Sequence, residues 1–177
     1  MRFTMPCAGR FPALALAGLL GGSGSAAVQA ADAPAATFTV RQLTPETALK
    51  AVQAALAHCR SQGYQVAAVV VDRAGLPQAL LRDRLAGAHT PDVATRKAWT
   101  AVSVKMSTSG FAAETQAGKP MSGLRGDPRF MAAGGGLPIE AGGSLLGALA
   151  VSGAPGGDAD EACAAQGLRA IADDIEF

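Results

Sequence analysis

His58 and His89 are the only histidines in the chain, which removes every metal site built from a histidine cluster. No His-Glu-x-x-His helix is present. Gly118-Lys119 is followed by Pro120, and Ala113 stands where a phosphate-binding loop needs its first glycine. The run 133–136 (AGGG) lacks Gly-x-Gly-x-x-Gly spacing and precedes a strand pattern, so it is no dinucleotide loop. No serine sits in a Gly-x-Ser-x-Gly elbow, and Ser152, in VSG, reads as the end of a strand. A hydrolytic triad would need one of the two histidines, and nothing in the spacing supports one. His89 has the more informative place, in the loop GAHTPD just before a helical pattern. A neutral imidazole there can ligate iron or act as a base; a solvated loop histidine is the plainer alternative. His58, beside Cys59 at the polar edge of a helix, reads as surface. Arg96-Lys97 can meet a carboxylate or face water.

The elements that must position these residues are legible in outline. Thr44-Pro45-Glu46 is a helix start, with Thr as N-cap and Pro in the first turn. Leu49, Val52, Leu56 and Cys59 recur at helical spacing, and Gly63 stops a helix expected over 44–61. Residues 64–71 (YQVAAVVV) read as a buried strand. Asp72–Gly75 reads as a turn and 76–82 as the returning strand of a hairpin. Thr90-Pro91-Asp92 repeats the N-cap and Pro signal, for a helix to about Met106. Ser107-Thr108-Ser109 caps a short helix through Gln116. Residues 117–128 are a loop by composition. Three short strands are expected at 129–133, 137–139 and 144–152, with 38–43 as a short first strand or lead-in. Asp158-x-x-Glu161 has the form of a capping box for a last helix carrying Cys163, Gly167 and Ile171 on one face. Runs of strands without strict βα alternation predict an α+β layer design on an antiparallel sheet.

Composition narrows the classes. With 49% hydrophobic and 16% charged residues the chain has enough apolar surface for a core, so disorder is excluded. A formal net charge of +1 offers no field for a nucleic-acid backbone. The beginning reads as a secretory signal. Arg2 and Arg10 precede an acid-free apolar run, small residues follow, and Val28-Gln29-Ala30 fits cleavage before Ala31. The alternative, a buried N-terminal helix, is poor because Gly18, Gly21, Gly22 and Gly24 interrupt it. The run is too short to cross a bilayer, and no later stretch reaches about 18 apolar residues. The expectation is a periplasmic or secreted chain without stable membrane insertion: signal peptide 1–30, loose segment 31–42, one domain 43–177. In an oxidising compartment the remaining pair, Cys59 and Cys163, invites a disulfide; two buried free thiols are the alternative.

Taken together, VVVDRAGLPQALLR, HTPDVATRKAWTAVS and GGGLPIEAGGSLLGALAVSGAPGGDADEACA resemble the GlcG/HbpS-like family of haem-binding proteins, which includes the C-terminal domain of PduO-type proteins. The resemblance runs from about Leu43 to Ile171. It implies a profilin-like α+β fold, an antiparallel sheet of about five strands flanked by helices, and homo-oligomers. It also implies haem as cofactor, bound, degraded or sensed. In some members a histidine near the start of the central helix is the axial ligand, in another a hydroxyl residue; His89 and Thr90 occupy that neighbourhood. Lys97 matches a family position, where it would pair with a haem propionate or form a structural ion pair. A non-haem accessory protein binding a small carboxylate metabolite, or an assembly scaffold, is the alternative function.

The expected ligand site centres on residues 86–97, roofed by the 117–128 loop and the 133–136 segment. His89 would be the metal ligand. Thr90, Arg96, Lys97, Gly134 and Gly135 would line the site, with apolar edges from Met121, Leu124 or Phe130. A helix N-terminus favours a carboxylate, and glycines let backbone approach a flat ligand.

Overall fold

A computed structural model describes residues 35–176. The expected cleavage after Ala30 therefore lies outside the described residues. The chain divides between Phe38 and Thr39, and every helix and strand below belongs to the second unit.

α1 (Pro45–Ser61) starts as its sequence dictates: the Thr44 side chain accepts the Thr47 N–H at 3.2 Å. β1 (Ala67–Asp72) and β2 (Pro77–Arg82) form the hairpin. Its turn is held by Asp72 Oδ1, which accepts the N–H groups of Ala74 at 2.8 Å and Leu76 at 2.9 Å. α2 (Thr90–Val104) and α3 (Thr108–Glu114) follow, then a 3-10 turn at Ser122–Gly126. β3 (Gly136–Ala141), β4 (Ser144–Ser152) and α4 (Gly157–Ile175) complete the chain.

The sheet is antiparallel with order β2-β1-β4-β3. Both edge strands carry a proline, Pro77 and Pro138, and the β1–β2 and β3–β4 ladders each shift register once. The period-two alternation of β1 sorts the core into two layers. Ala68 and Val70 face α1 and α4, with Leu149, Val151 and Ile171. Ala67, Val69 and Val71 face α2 through Ala94, Ala98 and Ala101. Small residues on α2 let it lie close to the sheet. Gly167 does the same between α1 and α4: a Cβ there would stand 2.6 Å from the Ala51 carbonyl oxygen. Cys59 and Cys163 join α1 to α4 in a disulfide, with Cα atoms 5.5 Å apart.

The sheet has four strands, not about five. Residues 38–43 form no strand. Residues 129–133 form none either, although their apolar character suits one, because side chains take the donors a ladder would need. Asp127 Oδ1 accepts the Arg129 N–H, and Thr100 Oγ1 accepts the Met131 N–H, both at 2.9 Å. The Asp158-x-x-Glu161 pattern is no capping box. α4 begins at Gly157 behind an N-cap glycine, Gly156, and Glu161 instead accepts the Ser109 hydroxyl at 2.9 Å and the Gly135 N–H at 3.4 Å. α2 begins one residue before its expected first turn, with His89, not Thr90, at the N-cap position. It ends at Val104, where Lys105 is left-handed at φ 54°.

Candidate functional site

A groove of about 300 Å³ runs along α2, lined by Thr95, Arg96, Trp99, Pro128 and Arg129. Trp99 is the only tryptophan of the protein. Its ring lies against the hairpin turn, where a Cβ on Gly75 would come within 2.4 Å of Cδ1; Gly75, at φ +81°, is the residue that turn requires. Phe130 packs at a tilt against Trp99 and Phe111, with 5.3 Å between ring centres in each pair. The Arg129 guanidinium sits 4.0 Å over the indole, a cation–π contact. Arg96 donates to the Pro128 carbonyl and lies 3.9 Å from Asp92, one turn back on α2. The groove thus has an aromatic floor and two guanidinium groups at its rim.

His89 shares this face. It has helical backbone angles, φ −76° and ψ −20°, and stands seven residues before Arg96. Two turns at 1.5 Å per residue put the two Cα atoms about 10 Å apart on nearly the same side of the helix. The imidazole is exposed and makes no capping hydrogen bond. It lies over Gly87, where a Cβ would meet Cε1 at 2.7 Å.

The other expected site residues go elsewhere. Thr90 is buried, and its hydroxyl donates to the Gly87 carbonyl at 2.8 Å. Lys97 follows Arg96 in sequence, but 3.6 residues per turn rotates it toward the sheet. There it is 3% exposed, donating to Asp160 Oδ2 at 2.7 Å and to the Val151 carbonyl at 3.1 Å. Asp160 Oδ1 also accepts the Ala154 N–H at 2.9 Å. Burial pushes the Asp160 carboxyl above its ordinary pKa, against the opposing pull of the Lys97 ammonium. Gly134 packs on Gly157 of α4, and Gly135, at φ +122°, packs on Lys97 and Asp160. Those two glycines serve a close approach of α4, not the groove. Met121 and Leu124 do not line the groove, and His58 is half-buried on α1.

Of the groove's lining, Arg96 was named from sequence, while Trp99 and Arg129 were missed. The one signal available was the lone tryptophan within RKAWTA.

The family described as Haem degrading protein HbpS-like matches residues 43–169, most of the chain. The chain belongs to the HbpS-like family. Among solved structures it is similar to an HbpS double mutant from Streptomyces reticuli: 34% identity, 89% of this chain and 97% of that one, TM-score 0.71. It is similar to the Klebsiella pneumoniae protein ORFY, of family DUF336, at 27% identity, 78% and 96% coverage and TM-score 0.74. The complex of PduOC with haem matches at 26% identity, 73% and 95% coverage and TM-score 0.70. No curated protein matches the chain. Among the described residues no group of three His, Cys, Asp or Glu side chains is placed to hold a bare metal ion, and no helix is long and apolar enough to cross a membrane. His89 offers one exposed imidazole and Arg96 and Arg129 offer two guanidinium groups, so the residues present fit the needs of a haem, one axial ligand and partners for its carboxylates.

Proposed function

We propose that this HbpS-like protein is an exported haem binder that holds haem along α2, with His89 as axial ligand. Trp99 would offer the ring a flat apolar face, and Arg96 and Arg129 would hold its carboxylates. The observation that carries the reading is the shared helix face: an exposed, uncapped His89, whose Cα lies about 10 Å from that of Arg96, and a groove that joins an aromatic floor to two guanidinium groups. A haem-bound relative of the same fold supports it. When bound, haem supplies redox-active iron. The chain's own residues orient the ring, neutralise the carboxylates and present one imidazole nitrogen.

The test is a haem titration followed by the Soret band. Wild type binds with a shifted Soret band, and His89→Ala loses that shift or binds at least tenfold more weakly. Identical spectra and affinity for both would remove His89 from the role. Loss of the Soret band with iron release under ascorbate and oxygen would extend the reading from binding to degradation.

The groove volume favours a second reading. About 300 Å³ is the lower bound for ligand pockets, and a small aromatic acid suits the groove as it stands.

The same proposal includes export and self-association. Export is supported by the signal-like beginning, and N-terminal sequencing from the native host should find Ala31. Self-association is supported by exposed Leu76, Leu80 and Leu85, at 63%, 39% and 78% exposure, on and beside β2. Sedimentation at micromolar concentration should show an oligomer.

A further inference from the structure

The segment from Pro128 to Gly136 crosses α2 as a strap, and its two ends are held very differently. Its far end is pinned by side-chain acceptors. Thr100 Oγ1 takes the Met131 N–H and Thr108 Oγ1 takes the Gly136 N–H, both at 2.9 Å. Both hydroxyl residues are fully buried. The near end closes the groove with three contacts on α2: Arg96 to the Pro128 carbonyl, the Arg129 guanidinium over Trp99, and the Phe130 ring against Trp99. Pro128 and Arg129 are both exposed. The Trp99 face, the best flat apolar surface in the groove, is therefore covered by a cation that water can easily take back.

We propose that Arg129 is a latch: a planar ligand bearing a carboxylate replaces its guanidinium on Trp99, and Arg129 swings out to pair with that carboxylate. This rests on the haem reading only in that haem is one such molecule. The exchange conserves contacts. The indole trades a cation for a π-system, and the guanidinium trades an indole for a charge-assisted hydrogen bond. Displacing the Arg129 guanidinium also uncovers the Trp99 face, which widens a groove of about 300 Å³ toward a broader planar ring.

The experiment uses the full chain and metal-free protoporphyrin IX, which needs no axial ligand. Fluorescence of the sole tryptophan is followed by stopped flow. Wild type should show saturable quenching. Arg129→Ala should bind about two- to fivefold faster, because the latch no longer competes for Trp99. It should also dissociate at least about tenfold faster, because the carboxylate has lost a charged partner. With the neutral dimethyl ester the association gain should persist and the dissociation change should vanish. Arg129 is exposed, so circular dichroism should report an unchanged fold. An unchanged association rate in Arg129→Ala overturns the latch, and a dissociation change that persists with the ester overturns the carboxylate pairing. No quenching by protoporphyrin IX alongside an intact haem Soret band overturns the latch and leaves haem binding standing. Absence of both signals overturns both.

Discussion

The Cys59–Cys163 disulfide closes a loop of 104 residues between the two helices on one face of the sheet, and its removal should be the most damaging simple change to the chain. In the chain-entropy account, cross-linking positions that far apart removes about 16 cal/mol/K from the unfolded ensemble, or about 4.7 kcal/mol at 25 °C. The perturbation is Cys59→Ala/Cys163→Ala, which keeps the pair apolar at sites 0% and 1% exposed. With a urea m-value of about 2 kcal/mol/M, the midpoint should fall by about 2 M or more. Because both sulfurs are buried, reductant should act on wild type only once urea has opened the chain. Thiol titration of the denatured, unreduced full chain should find one free thiol, Cys7, the third cysteine of the sequence. Three free thiols, or a midpoint shift below about 0.5 M with the bridge intact in wild type, would refute the reasoning.

Lys97→Met strands a buried carboxylate and should cost about 3–5 kcal/mol in urea unfolding, whereas Lys97→Met/Asp160→Asn should recover at least half of that, since the amide oxygen still serves Ala154. Gly167→Ala should lower the thermal midpoint by several degrees: the new methyl meets the Ala51 carbonyl at 2.6 Å, and that strain outweighs the helix-propensity gain of about 1 kcal/mol. Asp83 is lowered in pKa chiefly by the hydrogen bond from the Arg60 side chain, and Arg60 Nε reaches it at 2.7 Å. A lowered carboxylate stabilises the fold above its unfolded pKa, about 3.9, and loses that contribution as pH falls through the folded value. The stability gap between wild type and Asp83→Asn should therefore be full at pH 7 and shrink below pH 4, as measured by urea unfolding at both.

What the sequence shows best is what is local. Thr44 caps α1 from three residues away, and the Asp72–Gly75 turn is written in its own four residues. The disulfide was legible because both cysteines lie on inward helical stripes. The strap was not. Its residues are apolar enough for a strand, and the acceptor that prevents one, Thr100, lies 31 positions back on another element. Arg96 and Lys97 show the same limit within one dipeptide. Neighbours in sequence, they part by about 100° around the helix, and the partner that gives Lys97 its place, Asp160, is 63 positions on. Gly134 and Gly135 were read as letting backbone approach a flat ligand; that they admit α4 and the Lys97–Asp160 pair depends on the tertiary packing alone.

The two edge prolines bear on how copies of this chain can meet. An open four-stranded sheet would ordinarily present two rows of unpaired backbone groups, each a template for a neighbour's strand. Here Pro77 lacks an N–H on one border and Pro138 on the other, and a register slip bends the ladder beside each. Strand-by-strand polymerisation is thereby blocked from both directions. The proposed self-association would then use side-chain surfaces, which give closed assemblies of fixed size rather than fibres when their symmetry closes.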